Sequence, residues 1–134
     1  MDRLEEVAAA LHEGWLEFQR SHGKIYGPLR TCTTHPHIIA WEELDDESRN
    51  QDRFIAAVLL RDWFEGRLSR QGLAAAIHDT WARWEQLHGN THPHAVPFPE
   101  AHPEGSTEHE LQAARLEPLL GAWPRESGAP EVGR

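Results

Sequence analysis

The residues of this chain best equipped for chemistry are its ten histidines, four of them in two HPH triplets, His35-Pro36-His37 and His92-Pro93-His94. Imidazole is the commonest zinc ligand and the side chain that titrates near neutral pH. In an extended HPH, however, the two rings project to opposite faces and chelate one ion poorly. The single cysteine, Cys32, offers no thiolate pair, and no HExxH occurs. The expectation is no metal site, with histidines that tie loops to helices by hydrogen bonds. A nucleophile elbow and a glycine-rich phosphate loop are also missing. The acidic pair Asp45-Asp46 precedes a helix start, where the helix dipole accounts for it. No catalytic residue and no cofactor are expected.

Tryptophan is the second candidate, with six copies in 134 residues. A large amphipathic ring is enriched where an apolar face meets something polar. Trp15 and Trp81 lie in matching sequence contexts. The same spacing also fits core packing, because Trp15 shares a helical stripe with Leu11 and Phe18, and Trp81 with Ile77 and Trp84.

Four helices must position these residues. Asp2 is placed to cap the first, whose apolar positions Leu4, Val7, Ala8, Leu11, Trp15 and Phe18 form one face, with Gly23 as its stop. Residues 24–44 carry a Gly-Pro turn and a short β-branched run without helical period, and read as a loop with one or two extended segments. Ser48 and Gln51 form a capping box ahead of Phe54, Ile55, Val58, Leu59 and Trp63, and Gly66 closes that helix. Ser69 opens a third helix ending at Gly89. Residues 90–106 are proline-rich and extended, and Thr107 with Glu110 caps a shorter helix that Pro118 kinks or ends. The stretch from Pro124 reads as a flexible tail.

The halves repeat. VAAALHEGW at 7–15 matches LAAAIHDTW at 73–81, and His22-Gly23 matches His88-Gly89, all 66 residues apart. THPH at 34–37 matches 91–94, and FIAAVL at 54–59 matches LQAARL at 111–116, now 57 apart. One nine-residue deletion in the second loop explains both offsets, so the sequence reads as an internal duplication.

Composition narrows the function. A net charge of −9 disfavours binding to a phosphate backbone. No apolar run approaches the ~20 residues that span a bilayer. The opening MDRLEEV lacks a signal-peptide pattern. Together these imply a soluble cytoplasmic protein with no nucleic-acid or membrane partner. Lys24 is the only lysine among 13 basic residues, and the arginines supply planar forks suited to phosphate or carboxylate.

HEGW at 12–15, KIYGPLR at 24–30, HPHIIAWEEL at 35–44 and NQDR at 50–53 follow one another in an order that resembles the ryanodine receptor repeat (RyR domain). That family's pattern runs H-x-x-W, W/Y-x-Y-G-P, H-P-x-L-V-P-Y-x-x-L and Y-D-R before a final helix. Residues 4–63 span it, with Ile25, Ala40-Trp41 and Gln51 departing from the usual aromatic, Pro-Tyr and Tyr. Residues 73–123 look like a degenerate partner that keeps H-x-x-W and the HP segment but lacks YGP. The resemblance implies an α+β, helix-dominated domain of two pseudo-symmetric helix–extended loop–helix repeats, at 1–66 and 67–123, with a tail at 124–134.

It further implies a non-catalytic module, of bacterial or phage type and acting in signalling or defence. Its ligand is an adenine-type nucleotide or nucleotide-derived messenger, bound in the crevice between the repeats. The implied binding residues are Trp15 and Trp81 for stacking, Tyr26 and Arg30 at the mouth, and Gln19 and Glu85 one turn beyond each tryptophan. His12, His78, Asp52 and Arg53 are supporting candidates, although Arg53 equally fits a structural ion pair. A carboxylate at Glu85 repels a triphosphate, which favours AMP, an ADP-ribose-like molecule or a cyclic nucleotide. An effector protein is a further implied partner. The alternatives are a protein-interaction module using the same crevice and, behind it, an enzyme acting on a nucleotide.

Overall fold

The computed structural model describes residues 2–90 and 103–120, and within the second stretch the side chains of 108–119. The second HPH triplet and the tail from 124 lie outside the described residues. Four helices dominate: α1 (Arg3–Ser21), α2 (Asp46–Phe64), α3 (Leu73–Leu87) and α4 (Pro103–Leu120). Between α1 and α2 the chain forms two short strands, β1 (Ile25–Tyr26) and β2 (Thr34–His35), and a 3-10 turn, Trp41–Glu43. The fold is therefore helix-dominated with a small two-stranded sheet.

Asp2 starts α1 as the sequence predicts: its Oδ1 accepts the Glu5 N–H at 2.8 Å. Gly23 and Gly89 follow the ends of α1 and α3 at φ +77° and +69°, a conformation that side chains with a Cβ resist. Other helix starts differ from expectation. The cap of α2 is Asp45, whose carboxylate accepts the Ser48 N–H at 2.8 Å, so Ser48 lies inside the helix. Ser69 is fully buried and its Oγ accepts the Gly72 N–H at 3.1 Å, making a turn that delays α3 to Leu73. The last helix begins at Pro103, a residue preorganised for a first helical turn, so Thr107 is an interior position and not a cap. Pro118 does not end it, since the helix runs on to Leu120.

The core gathers one face from each helix. Val7, Ala8 and Leu11 of α1 meet Ile55, Ala56, Leu59 and Trp63 of α2, Leu73 and Ile77 of α3 and Leu116 of α4. Trp41 and Leu44 plug the end of the connecting segment into the same cluster. Burying such side chains contributes roughly 1.5–3 kcal/mol each, which makes this cluster the main source of stability. Trp15 and Trp81 are only half-buried. Helix α1 packs closely on α4 because position 14 is glycine: a Cβ there would stand 2.6 Å from the Gln112 Cα.

The loop carrying YGP folds tightly back. Ile25 pairs with Thr34 and Tyr26 with His35 in parallel register. Residues 27–33 are too few for the helical crossover that ordinary parallel strands use. Thr31 replaces the crossover, its Oγ1 accepting the N–H groups of Thr33 and Thr34 at 3.2 and 3.0 Å. Gly27 is required here, since a Cβ would lie 2.7 Å from that of Thr34.

Candidate functional site

A cleft of about 320 Å³ opens where the four helices and the loop converge. Trp15 reaches it from α1 and Trp81 from α3, and one turn after each come Gln19 and Glu85 on the same wall. The loop contributes Lys24, Arg30, His35 and His37; α2 adds Ser48, Gln51, Asp52 and Ile55; α4 adds Glu108, His109 and Gln112. Of the six residues the resemblance implies for binding, five line this space. Tyr26 does not: it lies on the outer strand β1 and is 55% exposed. His12 and Asp52 also line the cleft. His78 is fully buried behind Trp81, their ring centres 5.7 Å apart. Arg53 is drawn elsewhere, its Nε donating to Glu5 at 2.6 Å and its Nη2 to Asp46 at 3.2 Å, the structural ion pair that the sequence also allowed.

Hydrogen bonds fix the rings. His12 Nε2 donates to the Ile39 carbonyl at 2.7 Å, which anchors the loop to α1. A carbonyl only accepts, so in the neutral ring Nδ1 carries the lone pair, and it faces the Asp52 carboxyl 4.0 Å away. Burial holds His12 below the usual imidazole range and so keeps it neutral. Trp15 stacks on this ring at 5.6 Å and 25° and meets His35 edge-on at 5.1 Å. His35 Nδ1 accepts the His37 N–H at 3.0 Å, and His37 Nε2 is hydrogen-bonded to Ser48 Oγ at 3.2 Å. Burial, then the Arg30 guanidinium, pushes His35 down to about 4 and lowers His37. On the other side Gln112 Nε2 donates to the Leu11 carbonyl at 3.0 Å, and its Oε1 accepts from His109 Nδ1 at 2.8 Å.

The acids shift the other way. Burial, then the charge of Glu108, raises Asp52 to about 7. Burial raises Glu108 to about 7 as well, against the opposing pull of Lys24. At neutral pH the cleft thus presents neutral imidazoles, two partly protonated carboxyls, and the Lys24 and Arg30 cations. Such a set can grip an anion, stack a ring and offer hydrogen bonds of both senses. Among the described residues no group of three His, Cys, Asp or Glu is placed to hold a metal ion.

The α4 residues escape motif reasoning because EHELQ resembles nothing functional by itself. A signal was present nevertheless. The 57-residue offset that aligns FIAAVL with LQAARL also carries Gln51 to Glu108, Asp52 to His109 and Ile55 to Gln112, and all six line the cleft. Lys24, His35, His37 and Ser48 become visible only once the loop is folded over α1 and α2. No protein-family model matches the chain, and no curated protein matches it.

Proposed function

We propose that the chain is a pair of ryanodine-receptor-type repeats that binds a small nucleotide, or a nucleotide-derived messenger, in the cleft between them without transforming it. The observation that carries this reading is the convergence of Trp15 and Trp81, 66 residues apart in sequence, on one cleft where both rings stay half-buried. Trp81 also packs against the core cluster, but its ring and that of Trp15 both border the cleft, whereas Trp41 and Trp63, each 3% exposed, lie wholly inside. Base stacking on an aromatic is worth roughly 1–3 kcal/mol. A cleft of about 320 Å³ falls at the small end of the ~300–1,000 Å³ of ligand pockets, so a mononucleotide suits it better than a larger conjugate. Lys24 and Arg30 would take the phosphate, and Gln19 and Glu85 the ribose hydroxyls.

Local geometry supports the repeat. His12 and His78 stand 5.6 and 5.7 Å from Trp15 and Trp81. His22 and His88 each donate from Nδ1 to a carbonyl four residues back, at 2.9 Å in both copies. The backbone N–H of Lys24 reaches the Gln19 carbonyl at 3.1 Å, and that of Asn90 the Glu85 carbonyl at 2.9 Å. Five pairs equivalent by the two offsets line the cleft: 15/81, 19/85, 51/108, 52/109 and 55/112. Near-identical helix ends with their tryptophans on one cavity are what a duplicated unit folded about a pseudo-twofold would give.

Thermal melting with a panel of AMP, ADP-ribose and cyclic mononucleotides tests the function. A ligand at a hundred times its Kd stabilises by ~2.7 kcal/mol, which raises the Tm by several degrees. A panel without any such shift overturns the reading. The exposed Ile25, Tyr26 and Leu29, at 63, 55 and 71% exposure on the outer loop, favour an effector protein contacting that face as a second role. Recovery of a stoichiometric partner that Tyr26→Ala and Leu29→Ala release would support it.

A further inference from the structure

Two carboxyl groups of the cleft make none of the close ion pairs that neutralise acids elsewhere in the described residues, although Lys24 stands near enough to Glu108 to oppose its rise. Arg53 neutralises Glu5 and Asp46, and Arg67 neutralises Asp62. Among the described residues, neither Asp52 nor Glu108 forms an ion pair with an arginine or lysine. Asp52 instead faces the lone pair of His12, whose other nitrogen is committed to Ile39. A carboxylate opposite a lone pair is repelled, whereas a carboxylic acid there is favoured. We propose that the cleft takes up an anionic nucleotide together with protons, Asp52 and Glu108 entering the complex as neutral acids that hydrogen-bond the ligand and, once ionised, expelling it.

This inference rests on the nucleotide reading above and adds regulation to it. The groups around the two acids are consistent with it. His12 on α1 and His35 and His37 in the loop are held neutral, so they do not offset charge that develops on the acids. Glu85 on α3 has the same sign as the ligand, and His109 on α4 gives its Nδ1 proton to Gln112. Lys24 and Arg30 are the cations that reach the cleft from the loop. Among the described residues, with both acids neutral these two exceed the single acid Glu85; with both ionised that balance turns negative and a phosphate is repelled. Both acids titrate at about 7.

The test is calorimetric titration of AMP into the full chain and into the double variant Asp52→Asn/Glu108→Gln at pH 6.0, 7.0 and 8.5. One required proton lowers affinity tenfold per pH unit above its midpoint, so the wild type should weaken by about thirtyfold or more relative to the variant between pH 6.0 and 8.5. The variant carries the pH dependence of AMP itself, so the comparison isolates the protein's acids. Parallel profiles for the two proteins overturn the inference and leave nucleotide binding standing. Absence of binding by either protein at any pH, for AMP and for ADP-ribose and the cyclic mononucleotides titrated in the same way, overturns both. If the variant does not fold, titrating the wild type at pH 7.0 in two buffers of different ionisation enthalpy decides: buffer-dependent heat shows proton uptake, and equal heats overturn the inference.

Discussion

Replacing Asp52 with asparagine should make the protein more stable at pH 8 and leave it nearly unchanged at pH 3. Folding withdraws this carboxyl from water without supplying a cation, and its pKa rises from 3.8 to about 7. Because the folded value is the higher one, the folded state binds more protons between those limits. Stability therefore falls as pH rises from about 4 to about 7, and stays low above that. Three units at 1.36 kcal/mol each set a ceiling of about 4 kcal/mol. Water reaching the carboxyl, 19% exposed through the cleft mouth, reduces this to ~1–3 kcal/mol. The variant should gain that amount at pH 8, a Tm increase of roughly 4–15 °C for a chain of this size. The histidines act in the opposite sense. His12, His35 and His37 are held neutral, so their contribution is complete above 6.5 and lost as pH falls below it, for His35 down to about 4. Above pH 6.5 the histidines contribute fully and Glu108 is present in both proteins, so the melting difference between variant and wild type from pH 6.5 to 8.5 reads the Asp52 effect. A variant that melts lower than wild type at pH 8, or a gain equal at all pH values, refutes the reasoning.

Other consequences are simpler to measure. Gly14→Ala places a Cβ 2.6 Å from the Gln112 Cα and should cost ~1–3 kcal/mol by urea unfolding, with α1 and α4 forced apart. Trp15→Ala and Trp81→Ala should each weaken AMP binding about tenfold or more in calorimetry, the equivalent of one lost stacking contact. Arg53→Gln should lower the Tm slightly by releasing Glu5 and Asp46, while AMP affinity stays at the wild-type value.

Which parts of this were legible in the sequence follows from the range of the interactions involved. Caps and stops are local: Asp2 caps α1 through a carboxylate three residues from its donor, and Gly23 ends it, as read from the chain. At α2 the local rule misplaces the cap. Ser48 reads as opening a capping box and Asp45 only as complementing the helix dipole, but Asp45 accepts the Ser48 N–H and starts the helix three residues earlier. The burial of tryptophans was not legible, because a helical stripe specifies a face and not what covers it. Trp63 went to the core and Trp81 to the cleft wall on similar patterns. The resemblance implies Tyr26 at the mouth of the site, yet it stands on β1 beside His35, exposed and away from the cleft lining. Glu108 and Asp52, 56 residues apart on α4 and α2, both reach the cleft, and their raised pKa values arise from burial that no spacing records.

The most direct test is a crystal structure of the protein with AMP. The account predicts an adenine ring in the cleft in van der Waals contact with Trp15 and Trp81, its phosphate toward Lys24 and Arg30. Nucleotide bound at any other surface, or a cleft filled by rearranged side chains with the two indoles in contact, would contradict it.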